Sequence, residues 1–336
     1  MLNRSSASMQ LDKAGNLKHL LTLEGLPAEV LHTILNKADT FFDKSAKVIF
    51  QKEYLKDHTV VNLFFEASTR TRSTFELAAK KLGANVLNFN VATSATSKGE
   101  SLADTVKNLM AMQCTLFVVR HSASGAAQFV AQQVSDDISV INAGDGCHAH
   151  PTQALLDIYT IRKHRGDLSH LKVAIVGDVL HSRVARSQIH ALQTLNTLEI
   201  RVIAPKTLLP RAIHKLNVKI FHDLKQGLQD VDVIIMLRLQ TERMLDNLLP
   251  TGNAFYREYG LTTHALNFAK KDALIIHPGP INRGVEIESE IADSPNAVIL
   301  DQVTNGIAIR MAVMTLLANN QERVKYENPY QTREIN

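Results

Sequence analysis

Residues 59–82 read TVVNLFFEASTRTRSTFELAAKKL and contain, in one run, a strand pattern, a polar turn and a helix pattern. The apolar start is typical of a strand that is buried on both faces. The end of the stretch has the apolar spacing of an amphipathic helix. In parallel sheets, ligands bind where such a strand leads into a helix. The stretch therefore predicts a parallel α/β sheet with a polar site at its edge.

The same alternation continues along the chain. Further strand patterns cover residues 85–90, 115–120, 139–144, 172–178, 199–205, 218–223, 232–238 and 273–279. A helical segment, residues 150–166, separates the two series. We therefore predict an α/β protein with two doubly wound parallel-sheet domains joined by helices.

The predicted domains are residues 1–150 together with the C-terminal helical segment 305–336, and residues 151–304. The helix pattern at residues 305–320 is apolar on much of its circumference, so it must be buried. We expect it to pack against the first domain.

The composition is that of an ordinary soluble globular protein. The 336 residues include 37 Lys and Arg against 33 Asp and Glu, a net charge of +4, and only 5% aromatic residues. This charge suits small anionic substrates as well as larger partners. The few aromatic residues do not favour stacking on nucleic acid, and the arginines are dispersed along the chain rather than grouped in a basic stripe, so a nucleic-acid partner is not expected. Two cysteines are too few for a disulfide scaffold, and the chain shows neither a signal peptide nor a membrane-spanning apolar run. We expect a cytoplasmic protein with no membrane partner.

The polar turn of the opening stretch is predicted to bind an anion. A helix N-terminus carries unpaired N–H groups and partial positive charge, so it can hold a phosphate without glycine. Capping by Ser68 or Thr69 accounts for one hydroxyl but not for two arginines. Arg70 and Arg72 point to different sides of a helix, and Arg70, nearer the helix start, is the expected ligand residue. We expect Arg72 to face a structural partner such as Glu66.

A second candidate site is HAHPTQ, residues 148–153, which also joins a strand pattern to a helix pattern. His150 and Gln153 are three residues apart and share one helix face, so they could hold a carbonyl group of a ligand. A buried structural histidine explains the segment equally well on its own. A metal site formed with Cys147 and His148 lacks the usual ligand spacing, and we expect no metal and no organic cofactor.

Three other segments carry weaker signals. Lys98 lies in a polar stretch that, by itself, is typical of a solvated loop. Gly177 follows a strand pattern, but the dinucleotide fingerprint needs three glycines, so NAD binding is rejected. Arg238 follows another strand pattern, where a single arginine is more often part of a surface ion pair than of a binding site.

Taken together, these motifs resemble the carbamoyltransferase family. STRTR, residues 68–72, followed by HPTQ, residues 150–153, is similar to the carbamoyl phosphate signature shared by aspartate and ornithine carbamoyltransferases. RLQTER, residues 238–243, and HPGPINRGVEI, residues 277–287, resemble catalytic chains of the aspartate enzymes. The ornithine enzymes instead carry a Cys-containing HCLP-type motif near the latter position. Six motifs in family order, from about residue 17 to about residue 317, carry the resemblance.

The resemblance implies a carbamoyl phosphate site in the first domain. The matching positions are Ser68, Thr69, Arg70, Thr71, Ser94, Lys98, Arg120, His150 and Gln153. In the family's pattern, His150 contacts the carbamoyl oxygen, Gln153 holds the carbamoyl amide, and Ser94 and Lys98 reach into the neighbouring subunit's site. The expected catalytic residues are Arg70, Thr71, Lys98, Arg120 and His150.

The resemblance also implies an aspartate site in the second domain. The residues that match aspartate-binding positions are Lys98, Arg183, Arg238 and Gln240. Gly279 and Pro280 lie in the same part of the chain but match the carbamoyl phosphate-binding set. The loop at Gly279 and Pro280 is expected to hold the amide or the amine through backbone carbonyls. Many family members have leucine where this chain has Gly279, so no side-chain role is expected there.

The implied activity is transfer of the carbamoyl group from carbamoyl phosphate to L-aspartate, an early step of pyrimidine synthesis, in a homotrimer with shared active sites. No general base stands out, so phosphate oxygens are expected to accept the amine proton. The alternatives are an ornithine carbamoyltransferase-like paralogue and a silent anion-binding scaffold subunit.

Residues 1–16 lie outside the resemblance and are polar, so we expect them to be disordered or to contact a partner. Some relatives with such an extension and with the HPGPINRGVEI motif assemble with a dihydroorotase or a dihydroorotase-like chain. The resemblance extends this larger assembly to the present chain as an expectation.

Overall fold

The structure, a computed structural model, describes four stretches of the chain: residues 9–51, 53–90, 101–240 and 252–327. These residues form two compact units. One unit contains the chain up to Thr152 together with the chain from Gly306 onward, and the other is Gln153–Asn305. The chain therefore leaves the first unit once and returns to it near the C-terminus.

The first unit is built around a parallel sheet. Its elements, in chain order, are α1 (Ala28–Asp39), β1 (Thr59–Phe64), α2 (Thr69–Lys81), β2 (Asn85–Asn90), α3 (Leu102–Ala111), β3 (Leu116–His121), α4 (Ala126–Ala131) and β4 (Ser139–Asp145). The described strands pair in the order β2-β1-β3-β4, all parallel. The chain moves outward from β1 to β2 on one side and from β3 to β4 on the other, so β1 and β3 flank the reversal point of the sheet. Ligands of such sheets bind beyond the carboxyl ends of these two strands.

The opening stretch of sequence forms β1, the turn and α2 as predicted. Val60, Val61 and Leu63 of β1 are fully buried, as expected of a strand that is covered on both faces. On α2, the buried residues include Phe75 and Ala78, which are three positions apart and therefore share one face of the helix. Burial of that face against the sheet fixes where the helix begins, and so where its first turn is presented.

Residues 9–16 pack against the first unit, so the expected disorder of the N-terminal extension is wrong for this part of it. Gln10 is fully buried, and its Oε1 accepts the backbone N–H groups of Leu21 (2.6 Å) and Thr22 (2.9 Å). The Asp12 side chain closes a tight turn just after it. A polar stretch without periodicity gives no sign that a single glutamine holds it in place.

The outer edge of β4 is covered by His19 and Leu20. Leu20 forms backbone hydrogen bonds with Val140 (2.9 Å) and Asn142 (2.8 Å), which pairs the edge strand. The Val140 N–H also donates to Nδ1 of the buried His19 (3.0 Å), so this ring carries its proton on Nε2 and is neutral. Burial, and secondarily the charge of Lys18, lowers the pKa of His19 from 6.5 to about 4.

We expect His19 to reduce the stability of the protein as the pH falls. Below pH 6.5 the unfolded chain takes up a proton at His19, whereas the folded chain does so only near pH 4. The unfolded state therefore binds more protons in this window, and the free energy of unfolding falls by about 2 to 3 kcal/mol between pH 7 and pH 4.5. Urea unfolding of the wild type and of His19→Asn measures this contribution. An equal loss in both proteins would contradict it.

The second unit is built around another parallel sheet. Its elements are α5 (Pro151–Arg165), β5 (Lys172–Val176), α6 (Arg183–Thr194), β6 (Glu199–Ile203), 3-10 turns at Lys206–Leu208 and Ile213–Leu216, β7 (Lys219–Phe221), α7 (Leu224–Leu228), β8 (Val233–Met236), α8 (Gly252–Tyr259), α9 (Thr263–Leu266), β9 (Leu274–Ile276), α10 (Ser289–Ala292) and the start of α11 (Ile299–Glu327). The described strands pair in the order β7-β6-β5-β8-β9, all parallel. The reversal point of this sheet lies between β5 and β8, so residues at their carboxyl ends are the candidates for ligand binding.

Helix α11 belongs to the second unit as far as Asn305 and to the first unit from Gly306 onward. In the first unit, Ile309 and Met311 are fully buried. Near the end of the helix, Gln321 Nε2 donates to the Ser139 hydroxyl (3.0 Å) and to a neighbouring backbone carbonyl (2.9 Å). The predicted burial of this helix against the first domain is confirmed.

The two parallel sheets with their helices confirm the predicted α/β class, and each predicted strand pattern forms a strand. Among the described residues, no helix combines the length and the apolar character that crossing a membrane requires.

Candidate active site

The carboxyl end of β1 leads into the first turn of α2 at the reversal point of the first sheet. Ser68 occupies the N-cap position, and its carbonyl accepts the Arg72 N–H (3.0 Å), the first hydrogen bond of the helix. The Ser68 hydroxyl forms no capping hydrogen bond. The N–H groups of Thr69, Arg70 and Thr71 precede that first bond and lie at the positive end of the helix, which makes this turn a place for an anion.

The two arginines of this turn lie in different surroundings. Arg70 is exposed, whereas Arg72 is partly buried. The pKa of the Glu76 carboxyl is lowered by hydrogen bonds from Lys80 and Asn88 and, to a smaller extent, by the charge of Arg72. The charge of Arg72 therefore acts on Glu76, one turn further along the same helix.

Arg120, at the end of β3, is the structural partner of Glu66. Its Nε lies 3.3 Å from Glu66 Oε2, and its Nη1 donates to the carbonyl of Ala143 (3.1 Å). The expected pairing of Glu66 with Arg72 is thus replaced by one with Arg120. These contacts bring the ends of β1, β3 and β4 together around one largely buried guanidinium group.

Asp145 organises the loop that follows β4, a role that no sequence motif indicates. The carboxylate is buried and accepts the N–H of Gly125 (2.6 Å) and the Asn142 side chain (2.8 Å), and His148 Nδ1 lies 3.0 Å away. Burial opposes ionisation, but the hydrogen bonds from His148 and Asn142 outweigh it and hold the pKa of Asp145 below its usual value. Since Asp145 also accepts the Ala149 N–H (3.0 Å), it fixes the chain immediately before His150.

Helix α5 begins with two of the predicted site residues. His150 directly precedes the helix and Gln153 lies in its first turn, and both are buried. The Nε2 of Gln153 donates to Oδ1 of Asp157, one turn further along the helix (3.0 Å). An amide that donates its NH₂ group in this way keeps its oxygen for another partner.

At the second sheet, Asp178 organises the loop that follows β5. It is fully buried, and its Oδ1 accepts the backbone N–H of His181 (3.1 Å) and lies 2.9 Å from His181 Nδ1. Ser182 caps α6 by accepting the N–H of Ala185 (3.1 Å). Arg183 is therefore the first residue of the helix, and it is buried next to the reversal point.

Arg238 and Gln240 follow β8, the strand beside β5, and both are partly buried. The Gln240 N–H donates to Oδ2 of Asp178 (3.2 Å), so one carboxylate holds the loops after both strands. This contact brings the segments of Arg183, Arg238 and Gln240 to one edge of the second sheet. Residues 241–243, the end of the RLQTER motif, lie outside the described residues.

The loop at Gly279 and Pro280 follows β9 at the same edge. Gly279 has φ +60°, a conformation that favours glycine, and its N–H donates to Nδ1 of His277 (2.8 Å). Because Nδ1 accepts, the proton of His277 is on Nε2, which donates to Oε1 of Glu286 (3.2 Å). Both His277 and Glu286 are buried, so a histidine–glutamate pair holds the loop.

Ser94 and Lys98 fall within residues 91–100, outside the described residues. Their assignment to a site shared between subunits, and the homotrimer that it implies, stay predictions. Over the part of the chain that the structure covers, no group of three or more His, Cys, Asp and Glu side chains is arranged as potential metal ligands.

Two family models match the chain over most of its length. Residues 18–163 match the model described as "Aspartate/ornithine carbamoyltransferase, carbamoyl-P binding domain". Residues 169–317 match "Aspartate/ornithine carbamoyltransferase, Asp/Orn binding domain". The first range contains the turn after β1, Arg120 and His150, and the second contains the loops after β5, β8 and β9.

Solved structures of both kinds of enzyme are similar to the chain. Aspartate transcarbamoylase from Trypanosoma cruzi, in complex with N-(phosphonacetyl)-L-aspartic acid, is 29% identical, with 89% of this chain and 95% of that chain covered and a TM-score of 0.79. Ornithine carbamoyltransferase from Pyrococcus furiosus is 27% identical, with 90% and 97% covered and a TM-score of 0.79. The chain belongs to the aspartate/ornithine carbamoyltransferase family and transfers the carbamoyl group of carbamoyl phosphate to aspartate or ornithine.

Proposed function

We propose that the acceptor is L-aspartate, and that the chain is the catalytic chain of an aspartate carbamoyltransferase. The observation that carries the proposal is the pair Arg183 and Arg238, which follow the two strands at the reversal point of the second sheet. Aspartate has two carboxylates, and the guanidinium fork binds a carboxylate through paired hydrogen bonds. Ornithine has one carboxylate and a cationic side chain, which a second arginine would repel.

The sequence of the loop after β9 supports the same acceptor. It reads HPGPINRGVEI from His277, like the aspartate enzymes, and lacks the cysteine of the HCLP-type motif found in ornithine enzymes. Overall identity does not separate the two activities, because the values of 29% and 27% are nearly equal. The proposal therefore rests on these local features.

We further propose that the first unit binds carbamoyl phosphate through the turn after β1. The phosphate carries two negative charges, which suit the N–H groups of the first turn of α2, the hydroxyls of Ser68 and Thr69, and the guanidinium of Arg70. Thr71, Arg120 and His150 are then the donors to the carbamoyl oxygen. Support comes from the position of this turn at the reversal point and from the family model that covers it.

The chemistry requires charge stabilisation more than a strong base. The neutral amine of aspartate attacks the carbamoyl carbon, a C–N bond forms, and the carbamoyl oxygen becomes anionic. Each donor preorganised at that oxygen is worth about 3 kcal/mol in the transition state. The C–O bond to phosphate then breaks, phosphate leaves with the bonding electrons, and one of its oxygens accepts the proton that the amine loses. The products are N-carbamoyl-L-aspartate and phosphate, which places the reaction in pyrimidine synthesis.

The test is a parallel assay of the purified protein with carbamoyl phosphate and either L-aspartate or L-ornithine. We expect kcat/KM for aspartate to exceed that for ornithine by at least about a thousandfold, because the wrong acceptor leaves a buried arginine without its carboxylate. Preferential formation of citrulline would assign the chain to the ornithine enzymes. Binding of carbamoyl phosphate without turnover of either amine would identify a silent scaffold subunit.

A further inference from the structure

A fully buried carboxylate, Asp157, is the meeting point of three glutamine side chains. Its Oδ1 accepts from Nε2 of Gln153 (3.0 Å) and of Gln302 (2.6 Å), and its Oδ2 accepts from Nε2 of Gln188 (2.6 Å). The glutamines come from α5, α11 and α6, respectively. Each of them presents its NH₂ group to Asp157.

This cluster determines which end of the Gln153 amide faces a ligand. A glutamine amide can turn by half a rotation with little change in shape, but a carboxylate has only acceptors, so NH₂ must face it. Asp157 thereby leaves Oε1 of Gln153 as the end that is free to accept from another group. Burying a carboxylate costs desolvation energy, and apolar packing is often equally stable, so a gain in stability does not by itself explain the residue. The need to hold the Gln153 amide in one orientation explains why a carboxylate is buried here.

The same carboxylate reaches the loop at Gly279 through two further hydrogen bonds. Gln302, oriented by giving its NH₂ group to Asp157, accepts the backbone N–H of His277 with its Oε1 (3.0 Å). The ring of His277 in turn accepts the Gly279 N–H (2.8 Å). A continuous series of hydrogen bonds therefore runs from Gln153 through Asp157 to the loop.

We propose that Asp157 is a positioning residue for the carbamoyl group. It holds Gln153 so that the amide oxygen accepts from the NH₂ of carbamoyl phosphate, and through Gln302 it holds the loop whose carbonyls face the same NH₂. A carbamoyl NH₂ is only a donor, so the groups around it must present oxygen. The inference rests on the proposed contact of Gln153 with the carbamoyl amide.

Acetyl phosphate provides the test, because it has CH₃ in place of NH₂ and is otherwise the same kind of acyl phosphate. In Asp157→Asn, the new amide can donate as well as accept, so either end of Gln153 can face it. We expect calorimetric titration to show that the variant binds carbamoyl phosphate about 5- to 10-fold more weakly than the wild type, which corresponds to the loss of one hydrogen bond. Its affinity for acetyl phosphate should stay within about twofold of the wild-type value. A purely structural role would weaken both ligands equally, and that result would overturn the proposal.

Two matched variants complete the experiment. Gln188→Met removes another hydrogen bond to the same carboxylate without touching Gln153 or Gln302, so we expect a lower melting temperature and no selective loss of carbamoyl phosphate. Gln302→Met leaves Asp157 in place but breaks the link to His277, and we expect a selective loss. If Asp157→Asn does not fold, Gln302→Met provides the test. Equal weakening of both ligands in Gln302→Met would contradict the proposal. A selective loss of carbamoyl phosphate affinity in Gln188→Met would contradict it as well.

The outcome is separable from that of the proposed function. Wild-type protein that carbamoylates aspartate, with no selective effect in the variants, contradicts only the role of Asp157. Wild-type protein that carbamoylates neither amine contradicts the proposed function itself.

Discussion

Replacement of Arg70 with alanine is expected to lower kcat/KM for carbamoyl transfer by about a hundred- to a thousandfold, the effect of removing one donor to developing charge. Arg70 lies in the first turn of α2, where the N–H groups of the helix end already favour a phosphate. In the proposed site its guanidinium would add a charge-assisted hydrogen bond. The residue is exposed, so the fold should tolerate the change. Steady-state kinetics together with thermal melting of the purified variant provide the measurement.

Arg72→Ala is the matched control for this experiment. It removes the same charge from the same helix, two positions later, from a side chain that influences Glu76. We expect kcat/KM to stay within about threefold of the wild type, because the charge of Arg72 acts only weakly on Glu76, whose main partners are Lys80 and Asn88. If both variants lose activity equally, the loss of activity results from the change in net charge or from a less stable helix. The assignment of Arg70 to the phosphate would then be wrong.

Replacement of Arg238 with methionine is expected to act on the other substrate. If Arg238 holds a carboxylate of aspartate, its loss should lower kcat/KM for aspartate by about a hundredfold, mainly through KM, because the contact is present in both the ground state and the transition state. Methionine keeps most of the apolar volume of the side chain. The affinity for carbamoyl phosphate, measured by calorimetry, should stay unchanged.

Arg257→Met serves as the control for Arg238, because Arg257 is an exposed arginine on α8 of the same unit. We expect its kinetic constants to match those of the wild type. A loss of carbamoyl phosphate affinity in Arg238→Met would indicate that Arg238 contacts carbamoyl phosphate rather than aspartate. An unchanged KM for aspartate would remove the main support for aspartate as the acceptor.

The strands and the positions of the site segments could be predicted from the sequence, because buried parallel strands are continuous apolar runs and their carboxyl ends are visible as polar turns. The order of the strands could not, since periodicity carries no information on which strands are neighbours. The reversal points, between β1 and β3 and between β5 and β8, became visible only in the sheets. They explain why the turns at Arg70, Arg183 and Arg238 stand out from the other strand ends.

The carboxylates that hold the site loops were missed for a related reason. A single aspartate has no periodic signature in the sequence, and its hydrogen-bond partners are distant along the chain. Asp178 accepts a hydrogen bond from Gln240, and Asp157 accepts one from Gln302. The expected pairing of Glu66 with Arg72 failed in the same way. Glu66 and Arg72 are close along the chain, whereas the observed partner of Glu66, Arg120, comes from the neighbouring strand of the sheet.

The division of α11 between the two units has a consequence for biosynthesis. The second unit is one continuous segment, so all of its residues have been translated by Asn305, whereas the first unit lacks part of its core until the ribosome has passed Gln321. At about 5 to 20 residues per second, roughly 10 to 30 seconds separate Thr152 from the completion of that helix. During this interval, the nascent N-terminal half lacks the helix residues Ile309 and Met311 that complete its core, and apolar surface exposed in this way favours aggregation.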